Sequence, residues 1–133
     1  MDRRESVRQV VDRILWEQPD REHGRCGFVH LYGVATLCAA LAMRRGLEPE
    51  LCVVAGMLHD VSSYQTGDPT DHARRSARAA ERVLKDLGCF APDEIALVAH
   101  AISCHGAKDR SDGPMADLLK DADVLQISDD DLL

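Results

Sequence analysis

Eight apolar residues in a row, Leu51-Cys52-Val53-Val54-Ala55-Gly56-Met57-Leu58, stop without transition at His59-Asp60. A helix that is apolar nearly all round must be covered on every side, and the Glu48-Pro49 pair before this run is a good helix start. The segment is therefore expected at the centre of the fold, carrying the doublet at its end into the interior. Around it, Gly and Pro divide the chain into blocks of helical period. These run over about residues 6–17, 27–45 closing at Gly46, 71–87 closing at Gly88, 92–105 closing at Gly106, and 115–127. Residues 62–70, rich in turn formers, are expected as a loop, and Asp129-Asp130-Asp131 as a frayed tail. No useful stretch alternates with period two. The predicted fold class is all-α: one domain over residues 1–133, a helical bundle of about six helices, with its motif-bearing core at about 27–127.

Composition narrows the function classes. A chain of 133 residues can bury roughly two-thirds of its unfolded surface, so no metal or disulfide is required merely to hold it together. Aromatics make up 4%, and a core of Ala, Leu and Val suits close-packed helices better than strands. The net charge is −7 with no long basic run, which argues against an extended nucleic-acid interface. Five cysteines lack any Cys-x-x-Cys pair and are expected as reduced thiols, Cys38 and Cys52 among them as small core residues. The first residues open no signal-like apolar run, and no stretch is read as reaching the roughly 18 apolar residues of a membrane span. A soluble, cytoplasmic protein with no membrane association is expected.

The histidines are informative because of the faces they share. His30 lies on a stripe with Val34, Leu37 and Leu41, and His59 closes the stripe of Cys52 and Gly56. Asp60 is turned toward the side of Val53, Gly56 and Met57, and Asp123 falls in the row of Leu119 and Ile127. A bare carboxylate facing a core costs several kcal/mol or takes up a proton, whereas a divalent cation satisfies it together with the imidazoles. His30, His59, Asp60 and Asp123 are thus candidate ligands of one ion.

The order of these residues resembles the HD-domain metal-dependent phosphohydrolase superfamily. Its mark is a His on one helix (His30), a His-Asp doublet ending a later helix (His59-Asp60, followed by Val61) and a distant Asp (Asp123, within Leu119-Lys120-Asp121-Ala122-Asp123-Val124-Leu125). The resemblance implies a small single-domain helical enzyme that hydrolyses a phosphoester or phosphoanhydride, nucleotides included, with water activated by one or two divalent ions. It also implies that His72 and His105 ligate a second ion bridged by Asp60, with His100 as the competing choice for His105. His and carboxylate donors suit Mn²⁺, Fe²⁺, Co²⁺ or Ni²⁺, while Mg²⁺ and, without a thiolate, Zn²⁺ suit them less. The expected partner is a small phosphorylated substrate. Arg74, Arg75 and Arg78 after His72, and Lys108 after His105, are candidate phosphate partners, with Lys108 and Asp60 as the catalytic candidates. Arg75, Arg78, Arg82 and Lys85 also read as the solvent face of an amphipathic helix.

One departure matters. Some relatives follow the doublet with Gly-Lys or a nearby Glu that donates a proton, but here Val61-Ser62-Ser63-Tyr64 follow. Asp68, Asp71 and His100 are candidate substitutes. Two other readings stay open on the same ligands: a nucleotide-binding or regulatory domain without turnover, and a di-iron oxygenase.

Overall fold

The computed structural model describes the backbone of residues 2–132 and the side chains of residues 2–126. Those residues form seven α-helices and no strand: α1 Arg3–Trp16, α2 Arg21–Arg45, α3 Pro49–Leu58, α4 Val61–Thr66, α5 His72–Leu87, α6 Pro92–Cys104 and α7 Pro114–Leu132. The fold is all-α. Several boundaries are chemically marked. Asp20 caps α2 by accepting from the backbone N–H groups of Glu22 and His23, and α2, α4 and α5 end at Gly46, Gly67 and Gly88 with φ of 69°, 75° and 73°. Glycine closes such left-handed turns without the steric cost a Cβ would bring.

Helix α3 occupies the centre. Cys52, Val54, Ala55, Gly56, Met57 and Leu58 are all buried, with α1, α2, α5, α6 and α7 packed around them. Gly56 sets the closest approach: a Cβ there would lie 2.8 Å from Ala35 Cα and 3.2 Å from Cys38 Sγ. Its lack of a side chain lets α3 lie directly on α2, which brings the His59 end of one helix to the His30 level of the other. Arg3 ties α1 to the rest through Glu50 and Glu94, with its guanidinium 4.6 Å from the centre of the Phe90 ring.

Four expectations need correction. Helix α2 starts at Arg21 rather than near Gly27, because the cap at Asp20 outweighs the two glycines that look like breakers. Gly24 instead makes room for the Leu15 carbonyl, and Gly27 for the side chains of Leu15 and Tyr64. The expected loop after the doublet begins with a short helix, α4. Its hydroxyls bond locally, Thr66 Oγ1 donating to the Ser62 carbonyl at 2.8 Å, and Val61 and Ser62 are buried, so tertiary packing overrides a composition that reads as turn. Finally, α2 contains an 18-residue window long and apolar enough to cross a membrane, contrary to the count above. It is a core helix here: Leu31, Val34, Cys38 and Ala42 are buried, and its neighbours are α3 and α7. Helix α7 also runs past the expected end at Ile127 to Leu132; the Ile127 side chain and those of Asp129–Asp131 lie outside the described residues.

Candidate metal centre

Four helix ends and two helix flanks converge on one cluster. His59 is the residue at which α3 stops, and His105 is the residue at which α6 stops. Both solve the same local problem in the same way. The last carbonyls of a helix lack an intrahelical donor; His59 donates its Nδ1–H to the Gly56 carbonyl and His105 its Nδ1–H to the Ile102 carbonyl, each at 2.6 Å. His30, on the inner side of α2, donates Nδ1–H to Gln126 Oε1, also at 2.6 Å. All three imidazoles are thereby held in one tautomer, with the Nε2 lone pair turned away from these partners.

Those lone pairs meet. His30 Nε2 and His59 Nε2 are 3.1 Å apart, and Asp123 Oδ1 lies 3.4 Å from the first and 3.3 Å from the second. Two nitrogens without hydrogens cannot bond each other at that distance; a cation or a proton between them turns the repulsion into attraction. Donors about 2.1 Å from one ion and at right angles to one another lie about 3.0 Å apart, so the observed separations fit a shared ion. His59 and His105 are fully buried or nearly so, and Asp123 is 7% exposed. Asp60 stands on the other side, its Oδ2 3.7 Å from His30 Nε2 and its Oδ1 3.9 Å from His72 Nε2. Three groups have donor atoms mutually close enough to hold a metal ion: His30, His59 and Asp60; His59, His105 and Asp123; and Asp60, His72 and His105. Asp60 belongs to the first and third of these groups, and His105 to the second and third.

The electrostatics follow from this crowding. Burial pushes the His105 imidazole down to about 4, and the nearby His59 adds to the effect. Burial alone would raise the Asp123 carboxyl, but hydrogen bonding and charge from His59 and Lys108 hold it well below the usual carboxylate range. Lys108 Nζ donates to Asp123 Oδ2 at 2.9 Å and also to the His105 carbonyl.

Asp60 and His72, on the outer side of the cluster, are mounted differently. Asp60, in the kink between α3 and α4, accepts from Ser63 Oγ at 3.3 Å. His72 opens α5 immediately after Asp71, the one non-glycine residue with positive φ among the described residues (52°), and its side chain is 41% exposed.

The remaining sequence candidates divide. Lys108 is the cation that the fold brings to the cluster. Arg74 is paired with Asp71 at 2.5 Å and Arg75 with Asp68 at 3.1 Å, so each would have to leave a carboxylate to reach a phosphate. Asp68 is held below its ordinary range by hydrogen bonds from Thr70 and by Arg75, which makes it a poor proton donor. His100 is exposed and bonds the Asp112 carbonyl at 2.9 Å. Gln126, which clamps His30, was not singled out from sequence; the signal was its place one turn after Asp123 on the same face of α7. Lys120 was missed as well. Its buried ammonium bonds Asp112 Oδ2 at 2.7 Å and the Arg110 carbonyl at 2.6 Å, pinning the segment that carries Lys108.

Comparison with known proteins decides the family. The family model described as HD domain matches residues 27–128, well over half of the chain. The chain belongs to the HD-domain family. Among solved structures, this HD domain is similar to the crystal structure of a predicted HD superfamily hydrolase from an uncultured Thermotogales bacterium. The TM-score is 0.71 at 26% identity, over 92% of this chain and 67% of that one. No curated protein matches. All five cysteines are free thiols.

Proposed function

We propose that this HD domain is a metal-dependent phosphohydrolase acting on a small phosphoester or phosphoanhydride, nucleotides among them. One observation carries the reading: three buried or half-buried imidazoles are each fixed by an Nδ1–H bond, the Nε2 atoms of His30 and His59 lie 3.3–3.7 Å from Asp60 or Asp123, and His105 has a ring nitrogen within 4.8 Å of both carboxylates. The solved neighbour is titled a predicted hydrolase, which agrees with it. His30, His59, Asp60 and Asp123 would hold one ion, and His72 and His105 with Asp60 a second. The donor set favours Mn²⁺, Fe²⁺, Co²⁺ or Ni²⁺. Such an ion, when bound, supplies Lewis acidity toward a phosphoryl oxygen and a lowered pKa for its water.

The chain's own groups do the rest. Lys108, which donates to Asp123 and to the His105 carbonyl, has its third ammonium hydrogen to offer a phosphoryl oxygen as negative charge grows. Asp60 would accept a proton or orient water from the carboxylate edge between His30 and His72. The burial of His59, His105 and Asp123 keeps bulk water from competing for these contacts.

The deciding experiment is a screen of nucleotides and simple phosphoesters with Mn²⁺, Co²⁺ or Ni²⁺, repeated with Asp60→Ala. Turnover abolished in the variant is expected. Turnover that survives it overturns the site assignment. A protein that keeps its metal and binds nucleotides without turning any over is a binding domain instead, and oxygen uptake with Fe²⁺ and an organic substrate marks an oxygenase.

A further inference from the structure

Among the described residues one buried side-chain nitrogen or oxygen has no hydrogen-bond partner, His23 Nε2. Leaving such an atom unsatisfied is costly, and the cost needs a reason. His23 lies seven residues before His30, two helical turns along the same face of α2, so its Cα is displaced by about 10 Å along the helix axis. The ring of Tyr64 stands between them: its centre is 5.0 Å from that of His23 and 6.5 Å from that of His30. His23 and Tyr64 line a cleft of about 460 Å³ whose wall continues through Cys26 to Asp60 and His72 of the metal cluster. That volume is within the range of small-ligand sites.

We propose that His23 is a specificity residue for the organic part of the substrate: its Nε2 hydrogen-bonds the ring-bearing group attached to phosphorus while Tyr64 forms the wall beneath it. The proposal rests on the phosphohydrolase reading for the identity of the ligand's charged end. Two turns of α2 separate His23 from His30, which places it toward the part of a ligand that extends along the cleft beyond the cluster. It is well placed for an alcohol portion of the size of a sugar or nucleoside. The His23 side chain is only half-buried, so a turn of its ring brings the enclosed Nε2 out to the cleft, where a ligand atom removes the unsatisfied contact.

The test compares binding of compounds the protein cannot hydrolyse, so that it does not depend on turnover. Dissociation constants are measured by calorimetry on the Mn²⁺-loaded protein for methylphosphonate and for the methylene-phosphonate isosteres of adenosine 5′-monophosphate, uridine 5′-monophosphate and ribose 5-phosphate. At least one isostere is expected to bind about tenfold more tightly than methylphosphonate, the contribution of one well-made hydrogen bond. His23→Phe, which keeps the ring and removes the nitrogen, is expected to cut that advantage to about threefold or less, and His23→Gln, which keeps a polar atom near the same place, to retain most of it. The same His23→Phe chain should melt roughly 3 °C higher, because the unsatisfied nitrogen is gone. The idea is overturned if no isostere gains over methylphosphonate, if Phe preserves the advantage, or if Phe lowers the melting temperature. Loss of the advantage in a protein that hydrolyses nothing would leave the cleft assignment standing and remove the hydrolase reading.

Discussion

The inner and outer halves of the histidine–aspartate cluster are built on different principles. On the inner side, His30, His59 and His105 each have Nδ1 tied to a fixed acceptor, two of those acceptors being helix carbonyls, and Asp123 is held by Lys108. On the outer side, Asp60 sits in a kink and His72 begins a helix after a residue with left-handed backbone; the His72 ring meets Asp60 Oδ1 at 3.9 Å and His105 across 5.1 Å between ring centres. Orientation of metal ligands by such outer partners fixes tautomer and geometry before an ion arrives. The inner half is therefore preorganised and the outer half is adjustable. An ion bound by the first should persist, and one bound by the second should exchange.

The largest expected effect tests that contrast directly. His59→Ala should weaken metal binding by about a hundredfold or more, and His72→Ala by about tenfold, read as metal retained after dialysis against graded chelator. Equal losses would remove the distinction. A His59→Ala chain that retains its metal would place the ion elsewhere.

Protonation gives a second handle on the inner half. In the metal-free protein His105 is pushed down to about 4 by burial and by His59, whereas in the unfolded chain it titrates near 6.5. Between those values the unfolded state binds the proton and the folded state does not, so stability is complete above about pH 6.5 and falls as the pH drops toward 4. The loss amounts to about 3 kcal/mol over the interval. Urea melts of the metal-free protein at several pH values should show it, and His105→Gln should flatten the slope.

A third prediction concerns how the inner ligands are brought together. Gly56→Ala places a methyl group against the Ala35 backbone, where no flexible side chain can yield. Forcing α2 and α3 apart should cost about 2 kcal/mol in denaturant unfolding and should lower metal affinity with it. Stability lost without affinity would mean that His30 and His59 reach each other independently of this contact.

These predictions also mark what could be read from the chain itself. The apolar run before His59-Asp60 foretold the central helix, and helical faces assembled His30, His59, Asp60 and Asp123, because burial leaves a period in the sequence. Of the two histidines near the end of α6, His105 is buried and His100 bonds a surface carbonyl. Helix α4 was not legible. Its polar residues are satisfied by local backbone bonds and by packing from elsewhere in the fold, neither of which leaves a local pattern. The pairing of Arg74 and Arg75 with nearby carboxylates was hidden for a related reason, since the turn at Asp68 and Asp71 depends on backbone geometry. The orphaned nitrogen of His23 leaves no trace either; an unmade bond is visible only once every neighbour is placed.

The smallest effect is the most discriminating. Gln126 Oε1 accepts the His30 Nδ1–H, and this single bond selects the tautomer whose Nε2 faces His59. Gln126→Leu keeps the bulk and frees His30 to rotate or to move its proton to the other nitrogen. If preorganisation distinguishes the inner half, metal affinity should fall by roughly tenfold while the fold stays intact by circular dichroism, and Gln126→Glu, which preserves an acceptor at the same reach, should recover most of it. If affinity is unchanged in Gln126→Leu, His30 is oriented by the ion itself. The inner half would then be as adjustable as the outer one, and the difference between them would reduce to burial.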